Sequence, residues 1–123
     1  MTACAQNIQS DIRYLQAQAR STQRAQRMVF DPLTDRYSTY RESAGVWSLL
    51  EANKKPGCDI SNTTLDNHTL IFNFKGFAYE GNELPSLNFT NPVEADRTLT
   101  LKPTPSSNQQ KILTVYSGTG LTK

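Results

Sequence analysis

Few residues in this chain are of a type and spacing that could do chemistry. His68 is the only histidine. It stands in a polar stretch before a strand, with no Cys or Asp at ligand spacing, so a surface or turn role is expected rather than catalysis. Glu80, Glu83, Glu94 and Asp96 fall in loops or at strand starts. Their oxygens would suit calcium, but the Asp-x-Asp-x-Asp-Gly spacing is absent and solvated loop charge is the default. Gly118-Thr119-Gly120 follows a strand, opens no helix and lacks the lysine and Ser/Thr of a phosphate loop. Without a convergent set of titratable or nucleophilic groups, neither an enzyme nor a metal or other cofactor is expected.

The two cysteines, Cys4 and Cys58, form no metal-ligand pair. A disulfide is open to them in an oxidising compartment. Cys4 near one end of a helix and Cys58 in a loop can lie far apart, which counts against the bridge. Two unrelated thiols are therefore the expectation and the disulfide is the alternative. Three Asn-x-Thr sequons, at Asn62, Asn67 and Asn88, stand against about two expected by chance from nine asparagines, so they decide nothing.

One charged pattern is regular. Residues 1–30 hold four arginines against the single acid Asp11, a local charge of +3, while the rest of the chain about balances. The whole chain is only +2, too mild to argue for nucleic acid. At about 100° per residue, Arg13, Arg20, Arg24 and Arg27 fall on one helical stripe. That stripe could contact phosphates, stay solvated, or pair with acids of a neighbouring subunit. Tyr14 lies off it, so no aromatic interleaving is offered for stacking bases.

The elements that would position these residues follow from periodicity. Over residues 1–26 the spacing predicts a helix whose narrow apolar stripe is Ala5, Ile8, Ile12, Leu15 and Ala19. A stripe that narrow can seat one sheet, through Ile8, Ile12, Leu15 and Ala19, but cannot hold a bundle together. After Gln26 the period becomes two. Residues 27–30 read as a strand, Asp31-Pro32 opens a hairpin loop, and residues 36–42 return. Residues 46–50 form a short apolar run holding the only tryptophan, Trp47. Residues 51–69 read as a surface loop. Strands are expected over residues 70–76, 77–79, 84–89, 98–102 and 111–117, with a turn over 103–108. At 123 residues this is one unit, a helix over 1–26 and an antiparallel β domain over 27–123. No crossover helices remain to be placed, so the class is α+β. Apolar residues are 37%, low for a packed enzyme but clustered enough to fold. No stretch approaches the roughly 18 apolar residues of a membrane span, and the sequence as it stands is expected to be soluble.

The stretch "IQSDIRYLQAQARSTQRAQRMVFDPLTDRYSTY" resembles the start of the soluble part of the GspH/FimT family, the pseudopilins of type II secretion and the minor pilins of type IV pili. Ser10-Asp11-Ile12, residues 17–20 and 27–30, and Tyr37 stand where that family has its helix, first strand and returning strand. "TLIFNFKGFAYEG" resembles its central strand and "KILTVYSGTGLTK" its last. Residues 44–67 and 88–97 match nothing in it.

The resemblance implies a pilin-like fold and a structural role. The subunit would enter a pilus or pseudopilus in low copy, help to initiate it, and contact other pilin subunits. It also implies that the helix continues upstream into an apolar half, anchored in the bacterial inner membrane and facing the periplasm before assembly. On that view the first turns, with Ala3, Cys4 and Ala5, should protrude. FimT-like members are linked to DNA uptake through a basic C-terminal motif. Here only Lys123 is basic at that end, which leaves the arginine stripe as the sole support for DNA as a partner. A third possibility is a free secreted β-rich binding domain, in which Trp47, Tyr79 and Tyr116 would form a platform; burial of Trp47 in the core is expected instead.

Overall fold

A computed structural model describes residues 2–117. It has one helix followed by eight strands: α1 (Thr2–Thr22), β1 (Gln26–Asp31), β2 (Arg36–Ser43), β3 (Val46–Lys54), β4 (Asp59–Thr63), β5 (Thr69–Phe72), β6 (Ala78–Glu80), β7 (Arg97–Lys102) and β8 (Lys111–Val115), with a 3-10 turn at Asp66–His68 before β5. The fold is α+β, one N-terminal helix packed on antiparallel sheets.

The first sheet has the order β3-β2-β1-β5-β6 and the second β4-β7-β8. Helix α1 contacts β1 and β5 of one and β8 of the other. Its buried stripe is Cys4, Ala5, Ile8, Ile12, Leu15 and Ala19. These residues share a core with Met28, Phe30, Leu70 and Phe72 from the first sheet and Ile60, Leu99, Leu101, Leu113 and Val115 from the second. The stripe therefore seats on both antiparallel sheets. Each fully buried Ile or Leu in it contributes roughly 1.5–3 kcal/mol.

The helix ends at Thr22, four residues short of the expected 26. Gln23 adopts φ +57°, and its side-chain amide donates to the Arg20 carbonyl at 2.7 Å while the Thr22 hydroxyl donates to the Gln18 carbonyl at 2.6 Å. The Gln23 bond satisfies a carbonyl left open by the last turn, and the left-handed conformation of Gln23 is one more often taken by glycine at a helix end.

Of the three residues expected to protrude from the opening turns, Ala3 is exposed and the other two are not. Cys4 and Ala5 are buried, and the strap after β3 covers them: Cys4 is disulfide-bonded to Cys58, with 6.0 Å between Cα atoms. The expectation of two unrelated thiols is thus overturned. A strap that folds back over the helix start brings together positions that sequence separation kept apart.

Other departures have local causes. Residues 51–69 are not one loop, because β3 runs on to Lys54 and the polar segment β4 pairs with β7 through buried Ile60 and Thr63. The strand expected over residues 70–76 stops at Phe72. There the Asn73 carboxamide oxygen accepts from the amides of Lys75 and Phe77, forming an Asx-type turn. Residues 84–89 contain no strand. Gly118-Thr119-Gly120 and Lys123 lie outside the described residues.

Candidate functional site

The four arginines do not form one helical face. Arg13 and Arg20 are on α1 and exposed. Arg20 lies against the turn at Gly76, where φ is +83° and a Cβ would collide with its guanidinium. Arg24 falls in the turn after the helix and reaches Glu42 at 3.9 Å. Arg27 is on β1, with its guanidinium 4.2 Å from the Tyr40 ring centroid and 5.0 Å from that of Trp47. Burial pulls its pKa down, and Tyr40 acts in the opposite direction. The stripe fails because the helical period was carried past Thr22, and from Gln26 on the backbone is a strand.

Asp11, expected only to oppose those arginines, instead anchors a cluster between the helix and the first sheet. Its Oδ2 accepts the Tyr37 hydroxyl at 2.5 Å and the Lys54 ammonium at 2.7 Å. Lys54 also reaches Glu51 at 3.3 Å. The Tyr37 hydroxyl is pushed well above its ordinary 10.0, first by burial and then by its bond to Asp11. Burial alone would lower Lys54, but the bonds to Asp11 and Glu51 outweigh it and the ammonium is held above its ordinary 10.5. Both shifts favour the protonated Tyr37 hydroxyl and Lys54 ammonium, the forms that donate to Asp11.

The remaining titratable groups are dispersed. His68 Nδ1 lies 2.7 Å from the Thr63 hydroxyl. Glu80 is 1% exposed and takes Arg97 in a fork, with Nε 3.0 Å from both carboxylate oxygens and a terminal nitrogen at 2.9 Å. It also accepts the Asp66 amide at 2.7 Å. Glu83 accepts from Thr90, and Asp96 accepts the Ser117 amide at 3.1 Å. Among the described residues, no three His, Cys, Asp or Glu side chains converge where a metal could sit.

The aromatic platform that a free binding domain would need is not assembled. Trp47 and Tyr79 pack around Phe89 on the outer face of the first sheet, with Trp47 stacked on Phe89 at 6.2 Å and its indole N–H bonded to the Glu83 carbonyl at 2.8 Å. Tyr116 follows β8 in the second sheet. Trp47 is half-buried in this small satellite cluster and is not part of the main core.

What remains open is surface. Along α1 the outward flank carries Ala3, Gln6, Ser10, Arg13, Tyr14, Ala17 and Arg20, small or polar apart from Tyr14. Beside it, β3 forms a free edge of the first sheet. Among the described residues, no helix is long and apolar enough to cross a membrane. Compared with family models, with curated proteins and with solved structures, the chain matches none.

Proposed function

We propose that this chain is the soluble part of a minor pilin or pseudopilin of the GspH/FimT kind, a structural subunit of a type IV pilus or a type II secretion pseudopilus with a role in initiating assembly. The observation that carries the reading is α1 itself. It is N-terminal, buries one stripe against both sheets and leaves the opposite flank open with small residues at Ala3, Ser10 and Ala17. Such a flank permits close approach by neighbouring helices. The Cys4–Cys58 bridge suits an oxidising compartment such as the periplasm. On this reading the partners are other pilin or pseudopilin subunits, and the inner membrane is reached through an apolar segment upstream of Thr2. DNA as a partner loses the four-arginine face that would have supported it.

The test is the native gene upstream of the Thr2 codon. A run of about 20 apolar codons behind a short basic leader is expected. Its absence overturns the proposal and leaves a free binding domain in its place.

A further inference from the structure

We infer that the outer edge of β3, together with the cleft beside it, receives an extended segment of a partner chain that carries an arginine among apolar and β-branched residues. This adds a second surface, the β3 edge, to the α1 flank of the proposed function, and rests on that reading only in taking the chain to be a subunit that associates with others.

The edge is unusual within this molecule. β3 (Val46–Lys54) is nine residues long, about 30 Å, and terminates its sheet. Val46, Leu49 and Leu50 are exposed along it. The opposite edge of the same sheet, β6, has only three residues and is covered by a bridge from Tyr79 to Pro92. Long, exposed, apolar edges are templates for strand addition, and proteins without a use for them blunt them with charge or proline. The first half of the strand, residues 46–50, contains neither; the charges Glu51 and Lys54 and the register shifts fall in its second half.

A side-chain pocket adjoins this edge. The pairing with β2 shifts register between Tyr40↔Leu49 and Thr39↔Glu51, which leaves Leu50 as the extra residue of a bulge. Leu50 and Glu51 in consequence both line a cleft of about 250 Å³ against α1, with Tyr14, Leu15, Asp11 and Lys54. That is below the ~300–1,000 Å³ of drug-sized sites and fits one long side chain. Its charge is negative by one, because a single ammonium, Lys54, serves both Asp11 and Glu51. Glu51 is the more open carboxylate, 57% exposed against 26% for Asp11. A guanidinium complements this set: it can pair with Glu51 and lie against the Tyr14 ring.

A second copy is the weaker occupant. Its β3 would bring another Glu51, and no base except the Lys54 already engaged.

The test uses the intact disulfide-bonded chain and two labelled hexapeptides, Val-Thr-Arg-Val-Thr-Val and the same peptide with glutamate for arginine. The arginine peptide should bind saturably, at least about tenfold tighter than the glutamate peptide, and shift amide resonances along β3 and near Tyr14. Glu51→Lys should abolish the preference. Leu49→Lys should weaken the arginine peptide about tenfold by charging the edge. Both sites are exposed, so the variants should fold. No saturable binding, equal binding of the two peptides, or shifts confined to β8 would overturn the inference. A concentration-dependent dimer dispersed by Leu49→Lys would overturn it in favour of a second copy. The upstream gene can be apolar while both peptides fail, or the reverse, so failure here is distinct from failure of the proposed function.

Discussion

Two seams hold this molecule together, and they are built differently. Between the sheets, β6 meets β7 through Glu80 and Arg97, a forked pair whose carboxylate is 1% exposed. Between the helix and the rest, α1 is tied by Cys4–Cys58 at one end and by Asp11 with Tyr37 and Lys54 further along, where the ion pair is about a quarter exposed on each side. The inner seam depends on a desolvated charge that cannot be left alone. The outer one combines a covalent bond with charges that water still reaches. The charges that water still reaches, Asp11 and Lys54, lie next to the open edge of β3.

The largest expected effect is on the covalent tie. The bridge spans a sequence separation of 54, and closing such a loop in the unfolded chain is worth up to about 4 kcal/mol. A Cys4→Ser/Cys58→Ser variant should lose that order of stability in urea melts; a loss below about 1 kcal/mol would mean that the apolar stripe alone seats the helix. Next comes Arg97→Ala, which strands a buried carboxylate and should cost about 3 kcal/mol. If it costs no more than Asp11→Asn, the distinction between the seams collapses. Asp11→Asn itself should cost about 1 kcal/mol.

The outer seam also has a pH signature. The folded values of Tyr37 and Lys54 are both raised. Their contribution is therefore complete below the ordinary 10.0 and 10.5 and is lost as pH climbs through the raised folded values. Urea midpoints should fall more steeply above pH 10 in the native chain than in a Tyr37→Phe/Lys54→Met variant. The smallest effect is expected where the β1–β2 hairpin meets β4. Burial and the neighbouring Asp35 hold Asp59 above its ordinary 3.8, so its charge opposes folding at neutral pH. Asp59→Asn should stabilise slightly, by no more than about 0.5 kcal/mol in thermal melts.

Much of this architecture could be read from periodicity. Ile8, Ile12, Leu15 and Ala19 fall on one side of any helix drawn through them, and all four are buried. The alternation over residues 98–102 is likewise β7, with Leu99 and Leu101 inward. Most of what could not be read turns on a partner distant in sequence, and the rest on a local conformation that its residue type does not announce. β4 is polar and becomes a strand because β7 is there to pair with it. Cys58 meets Cys4 only because the strap folds back. The helix stops at Thr22 through a left-handed Gln23, a residue with no strong preference for that conformation. The Asp11 cluster was missed because its members come from α1, β2 and β3. The one available signal was that Asp11 is the sole acid of the helix.

The strand orders carry a consequence for how the chain is made. β4 joins the second sheet, yet it lies in sequence between β3 and β5 of the first. During vectorial synthesis the β1-β2-β3 meander can zip as it emerges. Its inner flank must then wait for β5, and β4 must wait until β7 arrives some forty residues after it. Neither sheet can close before most of the chain has left the ribosome or crossed a translocon. The two sheets should therefore melt and refold as a single cooperative unit, with no half-molecule stable on its own.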